Sequence, residues 1–294
     1  MPIPLRNLPT KFNMVTKTVK PIKKINIRDN DNVRVIMSRF GLNTVCAEAL
    51  CPNISECYSR KQATFLILGK ICTRTCGFCN VEKGRPLPSD IGEPHRVAQA
   101  AGSLGLKHVV VTSPTRDDMS DGGAGIFAAT VRALKEKKSR TVEILIPDFM
   151  GNENSIRTVV DSGPDIIGHN LETVRRNYDI RKGADYKRSL RVLKQIRKYN
   201  PGMKTKSAIM LGLGETDPEV IDFMKDLIAV GCEYLSIGQY LAPTGKHYPV
   251  REYISPEQFE KYRSEALNMG FRHVESGAFV RSSYNAEKYL VSGK

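Results

Sequence analysis

Residues 64–80 read TFLILGKICTRTCGFCN. The run from Thr64 to Leu68 is short, apolar and rich in β-forming residues, so it reads as a buried strand. It passes through Gly69 into a loop holding three of the chain's seven cysteines, spaced Cys72-x₃-Cys76-x₂-Cys79. In parallel α/β folds, ligands gather beyond the carboxyl ends of the strands. Two questions follow: what surrounds this strand, and what do three clustered thiols hold?

Outward from this strand a rhythm appears. TFLILG (64–69), KHVVVTS (107–113), VEILIPD (142–148), DIIGHN (165–170), TKSAIML (205–211) and EYLSIGQYL (233–241) are six strand-like runs. HRVAQAAGSLG, GAGIFAATVRALKEKK, ENSIRTVVDSG, ADYKRSLRVLKQIRKY and PEVIDFMKDLIAVG lie between them with helical character. Strands alternating with helices argue for parallel β/α units. Nearly continuous apolar strands fit burial on both faces. Polar residues collect at the strand ends, as Thr112-Ser113, Pro147-Asp148, His169-Asn170 and Gln239-Tyr240. A doubly wound sheet and a barrel both place function at that end. A helix over 256–269 and the residues after it read as a C-terminal extension. Upstream, Val33, Ile36 and Met37 share one side of a short helix within 31–45, and residues 46–62 form a cysteine-dense loop. Residues 1–30 are rich in Lys, Arg, Pro and Asn without periodicity, and read as an extended arm. No internal repeat is present.

Composition narrows the class. The 294 residues are 40% hydrophobic and 26% charged, as in soluble globular chains. No apolar run reaches the roughly 18 residues of a membrane span. The N-terminal stretch has no apolar segment of a secretory signal and is poor in Ser and Ala, unlike a transit peptide. The expected compartment is the cytoplasm. Thiols there are kept reduced, so clustered cysteines are more often ligands or redox groups than disulfides. Seven cysteines also pair poorly. The net charge of +14 fits a solvated basic surface or an acidic partner. Neither an aromatic-rich basic strand pair nor a basic GxxG clamp is present, so nucleic acid is not expected.

Zinc and an iron–sulfur cluster remain as answers for the thiols. Zinc usually takes four protein ligands, often as paired CxxC units. Here Cys76 and Cys79 form one CxxC, Cys72 adds a third thiol, and His95 is the nearby extra candidate. A [4Fe–4S] cluster normally takes four thiolates. Three on one loop leave one iron open to bind a small molecule directly. A second trio lies upstream, Cys46-x₄-Cys51-x₅-Cys57, again without a fourth. Two trios argue for two clusters.

The Cys-x₃-Cys-x₂-Cys loop, with Phe78 just before its last cysteine, resembles the radical S-adenosylmethionine superfamily. A longer resemblance spans about residues 40–286. The stretch NTVCAEALCPNISECYSRKQATFLILGKICTRTCGFCNVEKGRP is similar to the corresponding region of lipoyl synthases, and so, in order, are VVVTSPTRDDMSDGGA, GHNLETV, GADYKRSL, KSAIMLGLGET, IGQYLAP and VRSSYNA. Tyr58 fits the family pattern, SRKQATF departs from it, and Cys232 has no counterpart and reads as a packed thiol.

The resemblance implies an α/β fold: a partial (β/α)6 TIM-like barrel over residues 63–255. It implies an N-terminal arm and auxiliary-cluster loop over 1–62, and a C-terminal helix with the RSSY tail, 256–294, closing the barrel mouth. It implies a sulfurtransferase. An octanoyl chain on a lysine of a lipoyl-carrier domain loses hydrogens at C6 and C8 to S-adenosylmethionine-derived radicals, and gains two sulfurs from an auxiliary [4Fe–4S] cluster. Cys72, Cys76 and Cys79 are then the ligands of the radical-generating [4Fe–4S] cluster. Cys46, Cys51 and Cys57 hold the auxiliary one, with Ser282 as the fourth ligand and Ser283 the alternative. Candidate contacts to S-adenosylmethionine are the backbone of Phe78, Gly122, Gly123, Asn170, Glu172, Arg188 or Lys206, and the backbone of Leu211–Glu215. The partners implied are the octanoylated carrier (a 2-oxoacid dehydrogenase E2 subunit or the glycine-cleavage H protein), a ferredoxin or flavodoxin as electron donor, and an iron–sulfur carrier for cluster rebuilding. Neither nucleic acid nor a membrane is expected as a partner.

Overall fold

The computed structural model describes residues 20–23, 31–137 and 140–291. Most of the arm expected over 1–30 lies outside them. Seven parallel strands form one sheet in chain order: β1 Thr64–Leu66, β2 His108–Thr112, β3 Thr141–Leu145, β4 Ile166–Gly168, β5 Lys204–Leu211, β6 Tyr234–Gln239 and β7 His273–Gly277. Residues Asn43–Thr44 add an antiparallel edge beside β1. The helices α1 Glu93–Ser103, α2 Ala124–Lys135, α3 Glu153–Asp161, α4 Tyr186–Tyr199, α5 Asp217–Ala229 and α6 Pro256–Asn268 connect successive strands. The sheet stays open, with Asn43–Thr44 at one edge and β7 at the other. This is the α/β partial barrel expected, with one more strand. The register β5–β6 is the longest, Lys206↔Tyr234 through Leu211↔Gln239.

The strands alternate, which the sequence reading as continuous apolar runs did not anticipate. Phe65, Val109, Val111, Val142, Ile144, Ile167, Ile209, Leu235 and Ile237 are buried in the common core. So are the inward stripes of the helices, such as Ile156, Val159 and Val160 of α3. That is the i, i+3, i+4 spacing of a helix face. The other strand face looks into the barrel and is mixed in polarity. Low in the interior, Lys206 Nζ donates to Glu143 Oε1 at 2.9 Å, both side chains being fully buried. Higher up, Leu66, Thr112, Leu145, Met210 and Gly238 line open space.

The chain after β7 covers the open side. Asn53 Nδ2 donates to the Phe279 carbonyl at 2.6 Å, Tyr284 Oη to Glu56 Oε1 at 3.1 Å and Gln62 Nε2 to Glu287 Oε1 at 3.1 Å. On its other flank Asn285 Nδ2 donates to Glu275 Oε2 of β7 at 3.1 Å. Tyr289 is fully buried, with its ring 3.8 Å from Lys206 Nζ and its hydroxyl 2.7 Å from Ser236 Oγ. The tail thus bridges β7 and the segment ahead of β1. Among the described residues no helix is long and apolar enough to cross a membrane.

Candidate functional site

The loop after β1 is pinned from several sides. Residues Ile71–Cys72 pair with Glu82–Lys83 as a small parallel ladder. Cys72 Sγ accepts from the backbone N–H of Arg74 at 3.4 Å and of Thr115 at 3.3 Å. Gly77 N–H donates to the Ile180 carbonyl at 2.8 Å, and Tyr248 N–H to the Gly77 carbonyl at 2.9 Å. Arg74, between the first two cysteines, is the main clamp. Its guanidinium donates to Asp117 at 2.7 and 2.9 Å and to Asp148 at 3.1 and 2.6 Å. These carboxylates follow β2 and β3, so the cysteine loop is tied to two rigid strand ends. Burial pushes the Asp148 carboxyl up, but the facing Arg74 and Arg188 outweigh it and hold it well below the usual carboxylate range.

In the upstream trio Cys46 sits on the short helix Val45–Glu48, Cys57 on Ile54–Ser59, and Cys51 on the connection between them. Thr44 caps the first, accepting from Ala47 N–H at 3.3 Å, and bonds the buried Tyr58 hydroxyl at 2.7 Å. Cys51 N–H donates to the Cys46 carbonyl at 3.0 Å, and Cys57 N–H to the Asn53 carbonyl at 2.9 Å. Asn80 Nδ2 reaches the Glu48 carbonyl at 2.8 Å and so ties the two cysteine segments together. Burial pushes the Cys46 and Cys79 thiols up to about 11 and Cys57 to about 12. Burial also raises Cys76, against the lowering effect of Arg181. Such thiols are protonated at neutral pH in the free protein, and a metal centre forming on them releases those protons.

Both trios open onto one cavity of about 600 Å³ at the carboxyl end of the strands. Cys46, Cys51, Cys72, Cys76 and Cys79 line it, and so do Ser282 and Ser283, while Cys57 does not. All seven cysteines are free thiols. Among the described residues no three His, Cys, Asp or Glu side chains converge closely enough for a single metal ion. A tetrahedral zinc site with ~2.3 Å bonds would need its sulfurs about 3.8 Å apart. Cys232 is buried against the Thr205 and Tyr234 carbonyls, far from both trios in its contacts, as the packed thiol expected.

Three residues of the cavity lining also carry buried polar atoms without protein partners. Ser113 Oγ, His169 Nε2 and Arg181 Nε are buried and unbonded in residues that line it. His169 Nδ1 bonds the Ile146 carbonyl at 2.9 Å, and burial lowers the ring to about 4, so it is neutral at pH 7. Buried polar atoms without a partner call for ordered water or a rearranged contact. An open cavity with thiol trios and this polar lining fits both iron–sulfur clusters and S-adenosylmethionine.

The expected contact residues divide. Phe78, Asn170 and Glu172 line the cavity. Asn170 Nδ2 donates to Glu172 Oε1 at 3.0 Å, and Ser282 Oγ donates to Asn170 Oδ1 at 3.1 Å. Glu172 holds a left-handed backbone, φ 68°, because it bridges β5: its N–H donates to the Ala208 carbonyl and its own carbonyl accepts from Met210 N–H, both at 2.9 Å. Burial raises its carboxyl, partly offset by Arg181. Leu213 of the Leu211–Glu215 segment packs in a small cluster with Ile180, Tyr240 and Phe78 beside the cavity.

Four expected residues lie elsewhere. Gly122 and Gly123 have φ of 62° and 88° at the start of α2, where a Cβ would meet Phe149 Cδ1 at 2.8 Å and Leu68 Cδ1 at 2.3 Å. Their lack of a side chain serves the turn and the packing there. Arg188 Nε donates to Asp148 at 2.8 Å, extending the Arg74 clamp. Lys206 is spent on Glu143 below the cavity. Arg181 and Arg281 went unnoticed in the sequence although both line the cavity. Arg281 is the first residue of the RSSY run.

Comparison with known proteins agrees with this geometry. Residues 66–227, more than half of the chain, match the radical SAM superfamily. The chain is 58% identical over 268 residues to a lipoyl synthase of Geotalea daltonii, covering 91% of each, and 58% identical to a lipoyl synthase of Geobacter metallireducens, covering 91% of this chain and 95% of the relative. A lipoyl synthase of Caldanaerobacter subterraneus is 54% identical, with coverage of 90% and 93%. Among solved structures, a methylornithine synthase superposes with a TM-score of 0.55 at 13% identity, over 82% of this chain and 73% of that one. Streptococcus suis SuiB bound to S-adenosylmethionine gives 0.56 at 12%, over 74% and 50%. Those two likenesses show the shared fold, and the sequence relatives show the narrower kinship: the chain belongs to the lipoyl synthase family within the radical S-adenosylmethionine superfamily.

Proposed function

We propose that this protein is a cytoplasmic lipoyl synthase that inserts sulfur at C6 and C8 of an octanoyl chain carried on a lysine of a lipoyl-carrier domain. When bound, the cluster on Cys72, Cys76 and Cys79 and S-adenosylmethionine supply the hydrogen-abstracting radical, and the cluster on Cys46, Cys51, Cys57 and Ser282 supplies the sulfur. The observation that carries this reading is that all of the downstream trio, two cysteines of the upstream trio and the RSSY serine line one cavity. A carbon radical must meet its sulfur donor before it meets water or oxygen, and one shared enclosure provides that.

The chain's own residues have clear work. Arg74, with Asp117 and Asp148, fixes the radical-side thiols against two strand ends. Phe78, Asn170 and Glu172 are positioned to hold S-adenosylmethionine, with the ribose hydroxyls on the Asn170 amide and the Glu172 carboxylate. Leu66, Val110, Leu145 and Val81 supply apolar walls that exclude water and accept an acyl chain. The strongly basic surface favours an acidic carrier domain of the E2 or H-protein kind, a ferredoxin or flavodoxin as electron donor, and an iron–sulfur carrier for rebuilding the consumed cluster. Anaerobic incubation of reconstituted protein with S-adenosylmethionine, a reductant and an octanoyl-lysine peptide tests the whole reading. Mass spectrometry should show a product carrying two sulfurs together with 5′-deoxyadenosine; an unchanged peptide would sink it.

A further inference from the structure

The tail crosses the barrel mouth at one point of very close approach. Gly238 is the penultimate residue of β6, and a Cβ there would lie 2.2 Å from the Val280 carbonyl oxygen and 3.4 Å from Arg281 Nη1. No left-handed backbone demands glycine at this position. The missing side chain is what lets residues 280 and 281 lie against the strand.

That approach delivers a guanidinium into the cavity. Arg281 Nη1 donates to the Val280 carbonyl at 2.6 Å and to the Ala278 carbonyl at 3.5 Å. Nε and Nη2 have no hydrogen-bond partner among the described residues, and Arg281 makes no ion pair among them. It lines the cavity together with Cys46, Cys51 and Glu172. Half of its planar fork is therefore without a partner among the described residues, at a cavity that two cysteines of the upstream trio also line. A guanidinium in an enclosed site is costly without an anion beside it. Three thiolates binding iron are anionic, and they are what this site is built to hold.

We propose that Arg281 is a positioning residue whose guanidinium is the counter-charge for the anionic iron–sulfur centre held by Cys46, Cys51 and Cys57, brought there because residue 238 is glycine. This rests on the ligand assignment proposed above. A nearby cation favours the more negative, reduced state of such a centre. Removing it should shift the midpoint potential to more negative values, and a change of packing alone should not follow charge.

The test uses the full chain carrying Cys72→Ala, Cys76→Ala and Cys79→Ala, so that the upstream centre alone is reconstituted, and reads iron, sulfide and midpoint potential. Adding Arg281→Met should shift the potential negative, while Arg281→Lys leaves it at the parent's value. Gly238→Ala, which displaces the tail without touching a charge, should shift it in the same direction as Arg281→Met. Equal potentials for Arg281→Met and the parent overturn the proposal, as do equal shifts for the Met and Lys substitutions. If Arg281→Met retains no iron, the Lys variant decides: iron retained supports the counter-charge, iron lost from both refutes it. Weakened S-adenosylmethionine binding in an otherwise intact Arg281→Met enzyme, with the potential unmoved, places the guanidinium with that ligand instead and overturns the proposal. A parent that takes up no iron sinks the ligand assignment and the inference with it, whereas an iron-loaded parent insensitive to Arg281 sinks the inference alone.

Discussion

Asp148→Asn is the sharpest probe of how the radical side is held. Asp148 is 1% exposed and receives Arg74 Nη1 and Nη2, Arg188 Nε at 2.8 Å and the Met150 N–H at 3.1 Å. Asparagine has nearly the same shape but no charge, and its amide nitrogen faces a donor. Removing one partner of a buried ion pair costs about 3–5 kcal/mol. Arg74 keeps Asp117, whose side chain is 30% exposed, so the lower end, about 3 kcal/mol, is expected. Denaturant unfolding of the cluster-free protein at pH 7 measures it.

The pH dependence adds a second check with a definite sign. The Asp148 carboxyl is depressed in the folded state relative to about 3.9 in an unfolded chain. Its stabilisation is therefore complete above about pH 5 and falls away as pH drops below about 4, toward the folded value. The substituted amide cannot titrate, so the stability difference between the two proteins should be flat from pH 5 to 8 and shrink in acid. A difference under about 1 kcal/mol, or one that stays constant into acid, would refute the ion-pair clamp. The variant should also load less iron on the Cys72 side when both are reconstituted under one condition.

Four further outcomes are expected. Alanine at Cys72, Cys76 and Cys79 should remove one cluster's iron and abolish 5′-deoxyadenosine, whereas alanine at Cys46, Cys51 and Cys57 should keep 5′-deoxyadenosine and abolish the lipoyl product; chromatography separates the two. Ser282→Ala should suppress the second sulfur insertion or both at nearly unchanged stability, while Ser283→Ala stays active; the reverse would move the ligand by one residue. Binding of an acidic carrier domain should weaken between low and high salt, since charges are screened over about 8–10 Å near physiological ionic strength, and a salt-independent dissociation constant refutes electrostatic docking. Hydrogen exchange over 279–287 should report opening below the global unfolding free energy while the Tyr289 region stays protected; equal protection of both would rule out a separately opening tail.

Much of this was legible in the sequence because it is local. Each βα unit announces itself by its own apolar run and helix, and each cysteine trio lies within a dozen residues. What the sequence hid depends on pairing across distance. His273–Gly277 contains one buried apolar residue, Val274, since an edge strand has a neighbour on one side only, and it read as part of a tail. Lys206 looked like a site cation because nothing local says that Glu143, 63 residues earlier, faces it across the barrel. Arg188 looked free for the same reason, its partner Asp148 being 40 residues away. The glycines at 122 and 123, expected to permit close backbone approach to a ligand, have a neighbouring Phe and Leu in the space a side chain would need. Arg281 stayed unseen because a guanidinium's importance depends on what the fold leaves beside it.

The two halves of the site are attached to the fold in different ways, and this fits their different chemistry. The radical side stands on strand ends: Arg74 binds carboxylates after β2 and β3, and Glu172 is woven into β5 between Ala208 and Met210. Opening it would mean disturbing the sheet. The upstream-trio side, proposed as the sulfur donor, is assembled from the segment ahead of β1 and the tail after β7, joined by the Asn53–Phe279, Glu56–Tyr284 and Gln62–Glu287 hydrogen bonds. Side-chain hydrogen bonds of this kind contribute about 1 kcal/mol each, somewhat more where a carboxylate accepts, so parting them costs about 3–5 kcal/mol. That is less than the roughly 5–15 kcal/mol that holds a whole domain, so local opening is available without unfolding. Tyr289 sets its limit. Its ring is buried against Lys206 and its hydroxyl meets Ser236, so the far end of the tail is anchored, and Gly277 at the end of β7 anchors the near end, which leaves residues 279–287 as the segment expected to open. The sulfur-donating centre proposed above would be dismantled in each catalytic cycle and would need a ligand set that can part and return to register. A strap fixed at both ends provides that, and a site woven wholly into the sheet would not.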